Sequence, residues 1–304
     1  MTGFLAHSHP LTEDERVILM DIRLPRIIAA AMVGAALSVA GLLFQGLFRN
    51  PLADPYVIGS SGGAVLGATV GMVLLPQLSW MGFSAIALVA FAGSVATIAV
   101  VYSLARVGGT TQVVTLLLAG FAVSTMFSYS SYFVEVLDRD YGFGLRVLAS
   151  WLHGSIGVPR WNQLGAVAGL LFISLVAASI LARRLNTLAL GDEYAQQLGV
   201  RVESVRIAII LVGSLLAGVA VSLGGLIGFV GLIIPHLGRL IVGPDHVRLL
   251  PITALTGAAF LVLTDTLART VMAPSEVPVG ILMAFVGGPF FLYLLRRTKR
   301  GYNP

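Results

Sequence analysis

The chain has 304 residues, 57% of them hydrophobic and only 11% charged, and its mean hydropathy is +0.93. So few charges cannot clothe a water-facing globule of this length, which leaves lipid as the solvent for most of the surface. The net charge of +5 is almost wholly arginine, and no basic run is interleaved with aromatics, which excludes a nucleic-acid groove. With no cysteine, disulfides, thiolate metal sites and thiol nucleophiles are excluded as well.

Residues 1–22 read as a polar N-terminal segment, with Glu13, Asp14 and Glu15 in a row and no cleavable signal peptide. Nine apolar runs follow, at 25–47, 56–75, 83–105, 113–134, 161–181, 205–223, 226–242, 249–267 and 277–295. Each is close to the about 20 residues that one crossing requires. They predict an all-α, polytopic transmembrane helix bundle forming a single domain over 23–297, with a short tail at 298–304. The chain closes on Arg296, Arg297, Lys299 and Arg300, which by the positive-inside rule places the C-terminus in the cytoplasm. Counting back, Arg49, Arg106, Arg183, Arg184, Arg201 and Arg248 share that side. Arg23, Arg26, Arg139, Arg146 and Arg269 fall on the other, together with Glu135, Asp138, Asp140, Asp265 and Glu276. The same count leaves the N-terminus outside, without a signal sequence to take it there.

Small residues recur at four-residue spacing in Gly63-x-x-x-Gly67-x-x-x-Gly71 and Gly165-x-x-x-Gly169, a pattern that lets helix backbones approach closely in lipid. Gly224-Gly225, Pro235-His236 and Gly287-Gly288-Pro289 interrupt three runs. Either kinks that aid packing or breaks beside a cavity fit these signals.

Catalytic patterns are sparse. Gly59-Ser60-Ser61-Gly62-Gly63 fits G-x-S-x-G, but His153, His236 and His246 lie in no recognisable partner motif, so an intramembrane serine hydrolase is a remote alternative. No H-E-x-x-H pattern occurs. Lys299 is the sole lysine and stands in no phosphate-binding loop, so ATP hydrolysis, where it drives transport, belongs to another chain. The span interiors hold almost no charges: Asp265 and Arg269 sit at a span end, Arg239 lies late in its run, and Gln45 and His236 read as packing residues. That argues against an ion-coupled secondary transporter, the main alternative class.

The longest cytoplasmic connection, about 185–206, has helical character. Asp192 is placed to cap a helix, Gly199 to follow its end, and Leu190, Tyr194 and Leu198 make one apolar stripe. Such a stripe suits either a docking knob for a soluble partner or a helix lying on the membrane. Arg269 follows Asp265 at i, i+4, so part of its charge is compensated locally. Arg23 and Arg26 flank Pro25, a first-turn residue, and both project from the outer end of that span.

A resemblance now enters on specific residues. Arg23-Leu24-Pro25-Arg26, then the run from Gly34 through Gln45 to Asn50-Pro51-Leu52-Ala53-Asp54-Pro55, resembles the opening of the FecCD-type permeases, importer subunits for iron-siderophore, haem and cobalamin compounds. Gly191-Asp192-Glu193-Tyr194 through Leu198-Gly199 resembles that family's cytoplasmic coupling loop. Gly225 through Pro235-His236 and Arg239, Asp265 through Arg269, Glu276 through Gly280 and Gly287-Gly288-Pro289 continue the likeness in order to about residue 297.

The resemblance implies a cobalamin-importer-permease-like bundle in the cell (inner or plasma) membrane. Its partners would be a second permease subunit in a homodimer, ABC ATPase subunits and an extracytoplasmic substrate-binding protein; no cofactor and no metal site are expected. It implies docking of the binding protein on Arg23, Arg26 and Arg269, ATPase coupling through Leu190, Asp192, Glu193, Tyr194, Leu198 and Gly199, and a cytoplasmic gate at Asn50 and Leu52. The fourth and last spans would line the pathway, with Tyr129, Tyr132 and Phe133 on the fourth. The family usually has ten spans, so about nine here implies that the first helix is missing.

Overall fold

The computed structural model describes residues 12–107, 110–136 and 148–300. Arg139, Arg146, Asp138 and Asp140, assigned above to the outer side, lie outside the described residues, as do residues 1–11 of the polar N-terminal segment and 301–304 of the tail. All nine apolar runs are helical over most of their length. The long helices are α1 (Glu13–Phe48), α2 (Ser60–Val73), α3 (Ala85–Ala105), α4 (Val113–Val136), α5 (Trp161–Ala189), α7 (Val202–Gly224), α8 (Val230–Val242), α9 (His246–Thr270) and α10 (Val279–Arg300). A one-and-a-half-turn helix, α6 (Asp192–Gln197), joins α5 to α7. Six of the long helices have the length and composition to cross a membrane, while α2, α8 and the apolar part of α10 are shorter. Two antiparallel hairpins, Ser79–Trp80 with Phe83–Ser84 and Arg106–Val107 with Thr110–Thr111, flank α3.

The first helix begins well ahead of the apolar run at 25–47. Thr12 and Glu15 form a reciprocal capping box that starts it: the Glu15 amide donates to Thr12 Oγ1 at 3.3 Å, and the Thr12 amide donates to the Glu15 carboxylate at 2.9 Å. The helix then passes through a π-helical stretch, Ile18–Arg23, directly before Pro25. A proline lacks the N–H that the α ladder needs, so the register changes where the ladder would be interrupted in any case. The segment read as polar and non-spanning is therefore helical from Glu13.

Helix α1 occupies the centre and packs against α5, α7, α8 and α9. Of its most apolar 18-residue window 83% is buried, against 17% for α4. Glycines set the spacing. A Cβ added to Gly34 would lie 2.1 Å from the Gly257 carbonyl oxygen on α9, and one added to Gly41 would lie 1.9 Å from that of Gly231 on α8. With no hydrophobic drive between helices in lipid, such backbone contact supplies the dispersion energy that holds them together.

The stripe Gly63, Gly67 and Gly71 behaves as its spacing predicts, each glycine meeting the backbone of α3. Gly165 and Gly169 do not. An added Cβ on either meets nothing within 4 Å, so that stripe faces away from the rest of the chain.

Of the three interruptions, only Gly224-Gly225 ends a helix; Pro235 and Pro289 continue inside α8 and α10. Pro235 cannot donate to the carbonyl of Gly231, one turn back. The buried Gln45 of α1 takes its place, with Nε2 donating to Gly231 O at 3.0 Å and to Ala53 O at 3.2 Å. Its Oε1 accepts from Arg239. Gln45 is thus a packing strut, and it supplies the donor that the proline removed.

Candidate docking and coupling surfaces at the two ends of the bundle

Arg26, thirteen residues into α1, and Arg49, directly after its last residue, stand at the two ends of its apolar run. Twenty-three residues at 1.5 Å separate them by about 35 Å, more than the hydrocarbon thickness of a bilayer. An arginine-carboxylate network forms around each.

At the Arg26 end, Asp265 is 1% exposed and receives two arginines. Arg26 Nη2 lies 3.1 Å from Oδ1 and Nε 3.2 Å from Oδ2, while Arg269 Nε approaches Oδ2 from one turn along α9 at 3.2 Å. The remaining prong of Arg26, Nη1, holds Glu276 at 2.9 Å. The sequence-expected docking arginines therefore stand in two states. Arg26 and Arg269 are paired inside the chain, whereas Arg23 is exposed with no ion pair among the described residues. Arg23, Arg26 and Arg269 against Asp265 and Glu276 leave these five side chains at +1, not +3.

At the other end, α6 begins differently from its sequence reading. Gly191, at φ 117°, takes the cap position in place of Asp192 and makes no side-chain cap bond. A Cβ is disfavoured at that φ, and its glycine frees the Asp192 carboxylate for other work. One Asp192 oxygen accepts from Arg49 Nη2 at 2.6 Å and the other from Arg206 of α7. Arg206 also donates to Thr111 O at 3.1 Å. Glu203, one turn before it, accepts from Tyr102 OH at 2.8 Å and from Thr111 Oγ1 at 2.6 Å. Gly199 follows the end of α6 at φ 79°, the left-handed position its sequence place predicts.

Only Ala195 of α6 is buried. Leu190, Tyr194 and Leu198 are 64%, 64% and 65% exposed and Glu193 is exposed beside them, so the apolar stripe points away from the chain's own bundle. Asn50 and Leu52 lie at this same end, immediately after Arg49. The Asn50 side chain accepts the Leu52 amide at 3.0 Å, closing a tight turn. Nearby, Asn186 of α5 bridges the Asp245 carboxylate at 2.7 Å and the His246 amide at 2.9 Å. The Asn186 amide and the Val247 N–H hold the Asp245 carboxyl below the usual range.

Tyr129, Tyr132 and Phe133 are 71%, 63% and 71% exposed on α4, with the two tyrosine rings 6.4 Å apart, and all three face outward from the described bundle. Ser61 shares no hydrogen bond with a histidine among the described residues. The glycines around it pack against Gly120, Ser124 and Thr97 of α4 and α3, so the G-x-S-x-G pattern is a helix start under close packing. Among the described residues no group of three or more His, Asp or Glu is placed to hold a metal ion. Sequence reasoning missed Arg206, Tyr102, Thr111 and Asn186. Only the i, i+3 pair of Glu203 and Arg206, 3.8 Å apart, left a local signal.

Apolar helices around a central span, with two charged ends a membrane thickness apart, define a polytopic membrane protein. The FecCD transport family profile matches residues 2–297, and the chain belongs to that family. It is 43% identical over 296 residues to the cobalamin import system permease protein BtuC of Halobacterium salinarum, covering 96% of this chain and 78% of that one. It is 41% identical over 285 residues to the hemin transport system permease protein HmuU of Yersinia pestis, covering 93% and 84%. A solved structure described as an inward-facing metal-chelate type ABC transporter superposes with a TM-score of 0.84 at 32% identity, over 97% of this chain and 92% of that one. The protein is accordingly a multi-pass permease subunit of an ATP-binding-cassette importer, and not itself an enzyme.

Proposed function

We propose that this permease carries iron-siderophore, haem or cobalamin-type chelates, that two copies pair around one pathway, and that its C-terminus and α6 lie in the cytoplasm. The observation that carries the coupling half of this reading is the stripe of Leu190, Tyr194 and Leu198, about two-thirds exposed on α6 and the residues that flank it. A soluble ATPase subunit would bury it, with Glu193 at the rim and Gly199 ending the knob. ATP binding would draw the ATPases together, and α6 would transmit that movement to Asn50 and Leu52, the cytoplasmic gate.

The outward faces of α4 and α10 support the pathway assignment. Tyr129, Tyr132, Phe133 and, on α10, the 75%-exposed Phe285 offer flat apolar surface that the chain's own helices leave uncovered. A chelate with an apolar periphery would slide between two such faces without being gripped. At the opposite end Arg23, Arg26 and Arg269, presented twice by a two-fold pair, would receive acidic residues on the lobes of the substrate-binding protein. Because Asp265 and Glu276 already compensate two of them, Arg23 is the member with charge to offer a partner.

Tyr194→Asp tests the coupling half. A charge placed in an apolar contact costs about 2 kcal/mol or more, so ATPase co-purification should fall by more than tenfold while membrane insertion stays normal. Unchanged co-purification in both Tyr194→Asp and Leu198→Asp would mean that the stripe rests on lipid.

A further inference from the structure

The network at the α6 end has a member that the coupling reading does not use. Arg49 follows the last residue of α1 and adopts φ 49°, ψ 34°, a left-handed conformation that an L residue with a long side chain holds only when its surroundings fix it. The helix closes there on the Asn50 amide, which donates to Gln45 O, and the guanidinium ties that closure to the neighbouring helices. Nε and Nη2 donate to the Leu188 carbonyl, near the end of α5, at 3.0 and 2.7 Å, and Nη2 also reaches Asp192 in the first turn of α6. One side chain thus straddles the Leu190-Gly191 joint between the two helices.

The backbone beyond Arg49 is tied into a rigid turn. The Asn50 amide donates to Gln45 O at 3.1 Å, the Ala53 amide to Asn50 O at 3.1 Å, and the Leu52 amide to the Asn50 side chain. The far side of that turn is anchored, since Gln45 holds Ala53 O and Gly231 O together. A displacement of α6 would therefore reach residues 50–52 through Arg49, with Ala53 as the fixed point. Helix α6 is lightly held: glycines at positive φ flank it, Ala195 is its one buried residue, and Asp192 ties it to Arg49 and Arg206. The tether is also breakable, because the Arg49 and Asp192 side chains are 45% and 37% exposed.

We infer that Arg49 is a positioning residue that converts movement of the coupling helix into movement of the cytoplasmic gate, with Asp192 as its handle on α6. This inference rests on the coupling reading of α6, and its failure is separable from the failure of that reading. A guanidinium holds this pair more firmly than a lysine ammonium would, because Nε adds a second, coplanar donor to the Leu188 carbonyl beside the Nη2 that serves both acceptors.

The test uses the whole transporter, permease with its ATPase subunits and binding protein, in proteoliposomes. It reads substrate uptake per ATP hydrolysed, which a purely structural cap would leave unchanged. Arg49→Met keeps the apolar stem and removes the fork. The expected result is that ATPase subunits still co-purify while uptake per ATP falls about tenfold, the scale of an allosteric coupling lost between two sites. Arg49→Lys should rescue only part of that loss, and Arg49→Met combined with Asp192→Asn should be no worse than Asp192→Asn alone, since the aspartate change removes the Arg49 link together with the Arg206 pair. Uptake per ATP within about twofold of wild type in an assembled Arg49→Met transporter, or full additivity of the two variants, would overturn the inference. Should Arg49→Met fail to assemble, Arg49→Gln is read against the same thresholds. The coupling reading itself fails on a different measurement, the retention of the ATPase by Tyr194→Asp.

Discussion

The two ends of the bundle use the same ingredients, arginine and carboxylate, to opposite effect. At the Arg26 end the shared carboxylate is 1% exposed and the Arg26 side chain 11%, with partners drawn from α1, α9 and the residue Glu276 ahead of α10. At the α6 end the shared carboxylate is 37% exposed, and the arginines that hold it are 45% and 15% exposed. A buried pair loses heavily if one partner leaves, because the other charge is stranded away from water. A half-exposed pair can part and be rehydrated at little cost. The Arg26 end is therefore built to stay closed as a clamp, and the α6 end to yield.

The contrast can be broken by experiment, most forcefully at Asp265. Asp265→Ala should lower the stability of the purified permease by about 3–5 kcal/mol, read as a large drop in its thermal unfolding midpoint in detergent. Asp192→Asn should change the same midpoint by less than about 1 kcal/mol; equal losses at the two sites would erase the distinction between clamp and tether. Between these lies Gln45→Ala, which strips the Gly231 carbonyl of its donor and should cost about 1–3 kcal/mol in the same assay. The smallest stability change belongs to Glu276→Gln, within about 1 kcal/mol for a pair whose acid is 54% exposed. Its effect should appear in association with the binding protein, faster at low salt as the net charge of this end rises, while Arg23→Glu should slow it. Rates that ignore both substitutions and the salt would assign these arginines to the membrane surface.

How far the sequence reveals this molecule follows from the range of each interaction. Helices were legible because hydropathy along a run is a local property, and so was the Asp265–Arg269 pair, four residues apart on one helix face. The start of α1 was not, since the capping box at Thr12 lies in a segment whose acidic residues dominate its composition. Nor was Asp192, whose sequence place suggests a cap and whose partners, Arg49 and Arg206, reach it from 143 and 14 residues away. Arg26 shows the same limit: its position at a span end suggested a free charge, but its two acids stand 239 and 250 residues further along. The glycine stripes divide similarly. Spacing shows that a backbone is accessible, and only the fold decides whether another helix arrives there, as at Gly67, or does not, as at Gly165.

Helix α1 is the most enclosed of the long helices, yet it precedes in the chain every helix that encloses it. As the chain is made, α1 must lie in the bilayer with lipid in the places later taken by α5, α7, α8 and α9. A mean hydropathy of 2.4 over its most apolar 18 residues lets it wait there, because alkyl chains solvate its alanines and leucines as well as other helices do. What it holds in reserve are the bare backbone seats at Gly34 and Gly41, which later receive Gly257 and Gly231. A bulky side chain in either seat, such as Gly34→Leu, would leave insertion of α1 untouched and deny α9 its landing place. The defect would then surface late in biogenesis, as a fully inserted chain whose helices had failed to gather.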